Sequence, residues 1–212
     1  NNMAQEPSAL QHSETPDYLA FISYRHADNS AEDQQWATWL HQQLETYDIP
    51  EELIGTENQR GEIIPERIYP VFRDEASLPA DADLASAITD ALDRSRFLIV
   101  LCSPRAVQSY YVNEEILHFK RTGKQEHIMA ALLLGEPNAS IDEAKQEDPE
   151  DVRTLECFPQ ALQYHLQAGE IDTAQRTEPI AANFRLPDGR KGLTNPAVEV
   201  LVKAQQGEYP SQ

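Results

Sequence analysis

The chain contains little cysteine, and this shortage excludes a small protein held together by disulfides and one held together by a cysteine-bound metal. Only two of its 212 residues are cysteines, Cys102 and Cys157, and they lie in unrelated contexts. They match no metal-ligand spacing and form no disulfide framework, a pattern that suits a reducing cytoplasm. Cys102 ends an apolar run, where a buried, inert thiol is expected rather than a nucleophile.

Basic charge is also scarce. Seventeen Lys and Arg stand against 36 Asp and Glu, which gives a formal net charge of −19 at pH 7. A field of this sign repels nucleic acids and anionic membranes, so we expect neither as a partner. An anionic ligand would need a local group of cations, which makes each arginine near a predicted strand end informative.

Long hydrophobic runs are absent as well. The longest, at 97–102 and 129–134, are far shorter than the roughly 20 residues of a membrane-spanning helix. The N-terminus lacks the basic and then apolar pattern of a signal peptide. These absences predict a cytoplasmic protein.

The length of the chain predicts one domain, expected at 17–206. Residues 1–16 are polar with two prolines and are expected to be a disordered leader, in which Asn-Asn before the first Met resembles a cloning remnant. Residues 137–175 are expected to be an irregular, acidic, insertion-like segment. Residues 207–212 are expected to be a tail or a linker to an absent domain.

Apolar runs and helical stripes alternate along the first 134 residues, which predicts a flavodoxin-like, doubly wound parallel sheet with helices on both faces. The expected strand order is 2-1-3-4-5. Pro70 fits an edge position for the second strand, because proline cannot donate a ladder hydrogen bond. Strands are predicted at 18–23, 67–72, 97–102, 127–134 and 180–184. Helices are predicted at 30–47, 83–92, 109–122, 158–166 and 196–204, with a short one opening at Pro104.

Three polar stretches follow successive predicted strands. They are Phe-Ile-Ser-Tyr-Arg-His at 21–26, Phe-Arg-Asp-Glu-Ala-Ser-Leu-Pro at 72–79 and Ser-Tyr-Tyr-Val-Asn-Glu-Glu at 109–115. The carboxyl ends of parallel strands form the ligand crevice of an open α/β sheet, so we expect the three stretches to build one site. They also resemble the signature regions of TIR (Toll/interleukin-1 receptor) domains of the bacterial NAD-cleaving type, most strongly over 17–134.

Glu115 is the predicted catalytic residue. Val112, Ile116 and Phe119 form the core stripe of its helix, and Tyr111 and Glu115 lie on a stripe turned by about 100°. A carboxylate at this margin can be desolvated and still face a cleft. In NAD-cleaving TIR domains the catalytic glutamate lies four residues after an aromatic residue, usually Trp, and the resemblance assigns that role to Glu115. A solvated helix acid is the alternative.

The resemblance implies an NAD-binding role for the loop after the first strand. The expected residues are Ser23, Tyr24, Arg25 and His26, with the Arg25 guanidinium shaped to bind the pyrophosphate. A surface position is the alternative for His26. Tyr111, in place of the usual Trp, is expected to stack on nicotinamide or adenine or else to pack against the preceding helix.

The loop after the second strand resembles the one that gates TIR active sites and mediates their self-association. Arg73, Asp74 and Leu78 are expected to contact NAD, although an ion pair of Arg73 with Asp74, Glu75 or Asp81 explains that arginine equally well. Asp81 stands where the family commonly has glycine, which puts the motion of this loop in question.

The resemblance implies an NAD glycohydrolase or ADP-ribosyl cyclase in bacterial immune signalling or defence. NAD is then the substrate, no further cofactor or metal is expected, and other TIR domains are partners in a homo-oligomer. The alternative is a non-catalytic TIR adaptor that acts through homotypic TIR–TIR association, with Glu115 in a structural role.

Overall fold

The computed structural model describes residues 18–30, 35–75, 86–145 and 150–185. The strands are β1 (Tyr18–Ser23), β2 (Val71–Arg73), β3 (Ser95–Cys102), β4 (Ile128–Leu132), β5 (Tyr164–Gln167), β6 (Glu170–Arg176) and β7 (Ile180–Asn183). The helices are α1 (Trp36–Glu45), α2 (Ser86–Asp93), α3 (Pro104–Val107), α4 (Tyr110–Arg121) and α5 (Gln160–Gln163).

Five of the strands form one parallel sheet in the order β2-β1-β3-β4-β7. This confirms the predicted 2-1-3-4-5 order, because β7 is the fifth predicted strand. β2 is an edge strand, as Pro70 indicated, although it begins only at Val71. Pro70 contributes its carbonyl instead, which accepts a hydrogen bond from the Leu19 amide at 2.8 Å.

Strand β3 lies at the centre of the core. Its side chains alternate between two hydrophobic clusters, with Phe97, Ile99 and Leu101 on the α1 side and Leu98 and Val100 on the side of α2 and α4. Both faces are therefore covered, which explains why the sequence of this strand is apolar without alternation.

Two serines begin the helices that follow β3. The Ser103 hydroxyl accepts a hydrogen bond from the Ala106 amide at 3.0 Å, and the Ser109 hydroxyl accepts one from the Val112 amide at 3.2 Å. Gly123, just after α4, has a φ of +81°, a conformation that glycine adopts without strain. The predicted start and end of α4 are therefore confirmed.

The C-terminal third differs from its prediction. The predicted helix at 158–166 is wrong beyond Gln163, because Tyr164 begins β5, which pairs with β6 as an antiparallel hairpin. Part of the 137–175 segment is therefore regular. The predicted leader, tail and closing helix at 196–204 lie outside the described residues.

A single carboxylate organises the segment that leads to this hairpin. Glu156 accepts hydrogen bonds from the amides of Asn138, Cys157 and Phe158, from the Ser140 hydroxyl and from the Gln163 side-chain amide, at 2.7–3.2 Å. Its oxygens satisfy donors that would otherwise be partly buried without partners.

Candidate active site

A cavity of about 380 Å³ opens at the carboxyl ends of β1 and β2, beside the first turns of α4. Its volume is within the range of small-molecule sites, about 300–1,000 Å³. The three predicted stretches therefore meet at one place. Six of the predicted site residues line the cavity, namely Tyr24, Arg25, His26, Asp74, Tyr111 and Glu115.

Glu115 faces this cavity from α4, one turn after Tyr111, and is only 8% exposed. Burial raises the pKa of its carboxyl well above the usual range, and the negative charge of Asp74 raises it further. The nearby Ser23 hydroxyl acts in the opposite direction and favours the ionised form. The structure thus places Glu115 as a desolvated carboxyl and not as a solvated helix acid.

Ser23 lies beneath the cavity at the end of β1 and is fully buried. Its hydroxyl has no hydrogen-bond partner of normal geometry among the described residues. A buried hydroxyl without a partner costs free energy, so this hydroxyl is available to donate to the Glu115 carboxylate.

Tyr24 connects the two loops that border the cavity. Its hydroxyl donates to the backbone carbonyl of Asp74 at 2.6 Å, and its ring lies 5.0 Å from that of His26. Burial raises the pKa of Tyr24, and a hydrogen bond with Arg73 opposes this effect. The phenol therefore stays protonated at neutral pH, so it can hold Asp74 next to Glu115.

The loop after β1 is also fixed to α3. Arg25 donates from Nη1 to the carbonyl of Arg105 at 2.9 Å, which uses one of the five N–H donors of its guanidinium. The buried Asp28 accepts a hydrogen bond from the Ser103 hydroxyl, and Arg105 Nη1 lies 3.6 Å from Asp28 Oδ1. These contacts hold the Arg25 backbone at the rim of the cavity.

Arg73, like Ser23, is not among the residues that line the cavity. Its Nη2 forms an ion pair with Glu75 Oε1 at 2.8 Å, and its Nε donates to His41 Nδ1 at 3.3 Å. The ion-pair alternative therefore describes this arginine, and the structure does not support a direct contact with NAD. Leu78 and Asp81 lie outside the described residues.

Five further lining residues were not predicted. Two lie around the end of β1, Ile22 and Ala27, and three precede or begin α4, Gln108, Ser109 and Tyr110. Tyr110 is 58% exposed, and its ring meets that of Tyr111 edge to face at a centroid distance of 5.5 Å. The adjacent pair of tyrosines at the start of this helix was the signal that could have identified Tyr110.

No group of three His, Cys, Asp or Glu side chains is placed to hold a metal ion within the ranges that the structure describes. Over the same ranges, every helix is too short or too polar to cross a membrane. Cys102 and Cys157 are both buried free thiols, and burial raises the pKa of each.

Comparison with known proteins identifies the family. The TIR domain family model matches residues 20–162, more than half of the chain. The chain therefore belongs to the TIR domain family. The match covers the sheet from Ala20 in β1 to the end of β4, and every described residue of the cavity.

One similar curated protein is the NAD(+) hydrolase ApTIR of an Actinoplanes species. The two sequences are 31% identical over 119 residues, which cover 56% of this chain but only 14% of that relative. One similar solved structure is that of the TIR domains of the activated Roq1 resistosome directly recognizing the pathogen effector XopQ. It has a TM-score of 0.37 and 18% identity, covering 62% of this chain and 64% of that chain.

Proposed function

We propose that this TIR domain cleaves the bond between nicotinamide and ribose in NAD, as an NAD glycohydrolase or ADP-ribosyl cyclase of bacterial immune signalling or defence. The observation that carries the proposal is the buried Glu115 carboxyl in a cavity lined by Arg25 and aromatic side chains. The similarity to a TIR protein named as an NAD(+) hydrolase supports it.

The proposed reaction needs few groups. The C1′–N bond breaks with its electron pair moving to nicotinamide, which leaves as a neutral molecule, so no second acid is required. The ribose becomes oxocarbenium-like and positively charged, and a fixed carboxylate stabilises that charge. Water attack at C1′ with loss of a proton gives ADP-ribose, and attack by a nucleophile of the same molecule gives a cyclic isomer.

The raised pKa of Glu115 fits this role. A carboxylate in a water-poor cavity interacts more strongly with a nearby positive charge than one in solvent. The nicotinamide ring of NAD is cationic, so its arrival favours the ionised form of Glu115. The same charge then moves to the ribose as the bond breaks, and it stays beside the carboxylate.

Binding is proposed to use the other residues of the cavity. Arg25 has guanidinium donors beyond the one bound to Arg105, and these match a pyrophosphate oxygen pair. Tyr111 and Tyr110 offer aromatic faces for the bases of NAD. NAD is the substrate in this scheme, with no other cofactor.

We also propose that the domain works in the cytoplasm and associates with other TIR domains. The buried free thiols suit a reducing compartment. Association rests on the resemblance to TIR domains whose loop after the second strand mediates self-contact.

The test is nicotinamide release from NAD by the purified chain over a wide range of protein concentrations, with a crowding agent at each. We expect release, a rate per molecule that rises with concentration, and loss of release in Glu115→Ala. A flat rate per molecule would contradict the association step. Absence of release at every concentration would contradict the enzyme and leave the non-catalytic adaptor.

A further inference from the structure

A second cavity lies away from the candidate active site. It measures about 530 Å³ and lies at the amino ends of the strands, where Ile128 begins β4 and Ile180 begins β7. Its volume is typical of a small-molecule site. Because active-site residues lie at the carboxyl ends of the strands, a ligand here would be separate from NAD.

Cations line this second cavity although the chain is strongly acidic. Its lining includes three cationic side chains, one histidine and two acids: Lys120, Arg60 and Arg176, then His165, then Glu126 and Glu178. In a chain with a net charge of −19, a wall with more cations than anions is a local exception. Such a wall can concentrate an anion against the field of the whole molecule.

The buried ammonium of Lys120 is the strongest evidence that this cavity binds an anion. Lys120 is 7% exposed, its ammonium donates to the Tyr164 carbonyl at 2.8 Å, and no carboxylate of the described residues lies within ion-pair distance. Burial lowers its pKa to about 8. A buried ammonium normally has a counterion, and one carbonyl leaves two of its three protons for another acceptor.

The neighbouring side chains are also donors. The Gln125 side-chain amide lies 2.7 Å from His165 Nδ1, so with the amide as donor the ring keeps its proton on Nε2. Arg60 donates to the Glu126 carbonyl at 3.1 Å, which fixes its guanidinium at the rim. Arg176 is exposed and forms no ion pair with a described residue.

The walls of this cavity are partly outside the TIR match. The family model ends at residue 162, whereas His165 and 176–180 contribute one side of the cavity through the hairpin and the entry to β7. One side of the cavity is therefore built by C-terminal elements that lie beyond the family match. The cavity is distinct from the site at the carboxyl ends of the strands.

We propose that this cavity binds a small phosphate-bearing molecule. Arg and Lys together suit phosphate oxygens, the first through paired N–H donors and the second as a compact charge. Ile128, Leu162 and Ile180 supply apolar surface for a neutral body attached to the phosphate. The two glutamates disfavour a long polyanion, because part of its length would face a carboxylate.

The probe is inorganic pyrophosphate, added to the isotope-labelled chain and followed by backbone amide NMR shifts. Sodium chloride at matched ionic strength is the control for salt effects. We expect saturable shifts at 120–128 and 164–180. Shifts no larger than those in the salt control, or shifts confined to 22–27 near Arg25, would overturn the proposal.

Arg176→Gln is the main variant, because the exposed side chain can be replaced without disturbing the fold. We expect the affinity for pyrophosphate to fall at least about fivefold, and Lys120→Met to lower it further if that variant folds. Arg153→Gln, with the same change of charge at another exposed position, should keep the wild-type affinity. Equal losses in Arg176→Gln and Arg153→Gln would show non-specific attraction and overturn the site. Nicotinamide release is not used, so failure here leaves the proposed reaction unaffected.

Discussion

Asp74 and Glu115 interact electrostatically although they lie on different elements, the loop after β2 and helix α4: burial raises the pKa of Glu115, and the Asp74 carboxylate raises it further. The Tyr24 hydroxyl holds the backbone of Asp74 in place from the end of β1. The ionisation of the proposed catalytic group therefore depends on the position of a neighbouring loop. Movement of this loop would change the charge state of Glu115 as well as access to it.

Replacing Asp74 with asparagine should change the pH dependence of nicotinamide release. The substitution removes a negative neighbour, so the pKa of Glu115 falls and the carboxylate forms at lower pH. We expect the acidic limb of kcat/KM to move to lower pH, measured from about pH 4.5 to 9. Asp93→Asn, which alters an exposed acid paired with His118 outside the cavity, is the control. If the acidic limb of kcat/KM lies at the same pH in Asp74→Asn as in the wild type, Asp74 does not influence the group that titrates.

Glu115→Gln should be more stable than the wild type at neutral pH. The pKa of Glu115 is raised in the folded protein, so between the unfolded and folded pKa values only the folded protein holds this proton. The free energy of unfolding of the wild type therefore decreases as pH rises through that window. The Glu115→Gln variant has no ionisable group at this position, so its free energy of unfolding does not decrease for this reason. We therefore expect Glu115→Gln to have the higher free energy of unfolding at neutral pH.

Urea denaturation of both proteins at pH 4.5 and 7.5 measures this difference. The advantage of Glu115→Gln should be larger at pH 7.5 than at pH 4.5. A variant that is less stable than the wild type at pH 7.5 would mean that the carboxylate is well solvated or paired in the folded protein.

Replacing Arg25 with alanine should weaken substrate binding more than it slows the chemical step. A charge-assisted hydrogen bond contributes about 1.5–3 kcal/mol, so KM for NAD should rise at least about tenfold. Steady-state kinetics measure the two parameters separately. Arg67→Ala removes the same charge from an exposed position outside the cavity and should leave KM unchanged. Equal rises in both variants would indicate a general effect of charge.

Replacing Glu156 with alanine should destabilise the segment before the β5–β6 hairpin. The change removes the acceptor of five hydrogen bonds, and of their donors the Gln163 amide keeps the Phe158 carbonyl as a second acceptor. We expect a loss of about 3 kcal/mol in the free energy of unfolding. Glu170→Ala, at an exposed acid, should cost less than about 0.5 kcal/mol. A small loss in Glu156→Ala would mean that water replaces this carboxylate without penalty.

Much of the fold could be predicted from the sequence because local signals agree with the tertiary structure. The continuous apolar run of β3 predicted a strand buried on both faces, and Ser109 and Gly123 marked the two ends of α4. Pro70 indicated that the second strand lies at an edge of the sheet, as β2 does. Each of these signals reports a local physical constraint that the folded sheet also obeys.

The hairpin could not be predicted in the same way. Its turn places Ala168 and Gly169 at positive φ, +51° and +80°. Two-residue hairpin turns of this kind favour Asn or Asp before Gly, and alanine gives no such signal. The preceding residues, with Phe158 and Leu162 at helical spacing, favoured a helix that the structure ends at Gln163.

Those residues of the candidate site whose location follows from the strand order could be predicted from the sequence. Tyr24 and Arg25 follow β1, and Glu115 lies on the margin of α4, so topology brings them together. Arg73 follows a neighbouring strand, yet Glu75 and His41 bind its guanidinium. Such competition among nearby side chains is a three-dimensional property, and strand order alone does not reveal it.

The measurement that tests the central claim most directly compares nicotinamide release by Glu115→Gln and Glu114→Gln at the same high protein concentration. Glu114 is the adjacent acid on α4 and does not line the cavity. We predict a loss of at least about 100-fold for Glu115→Gln, because a fixed charge at the reacting centre is removed, and a rate within about threefold of the wild type for Glu114→Gln. Wild-type release by a folded Glu115→Gln variant would contradict the account.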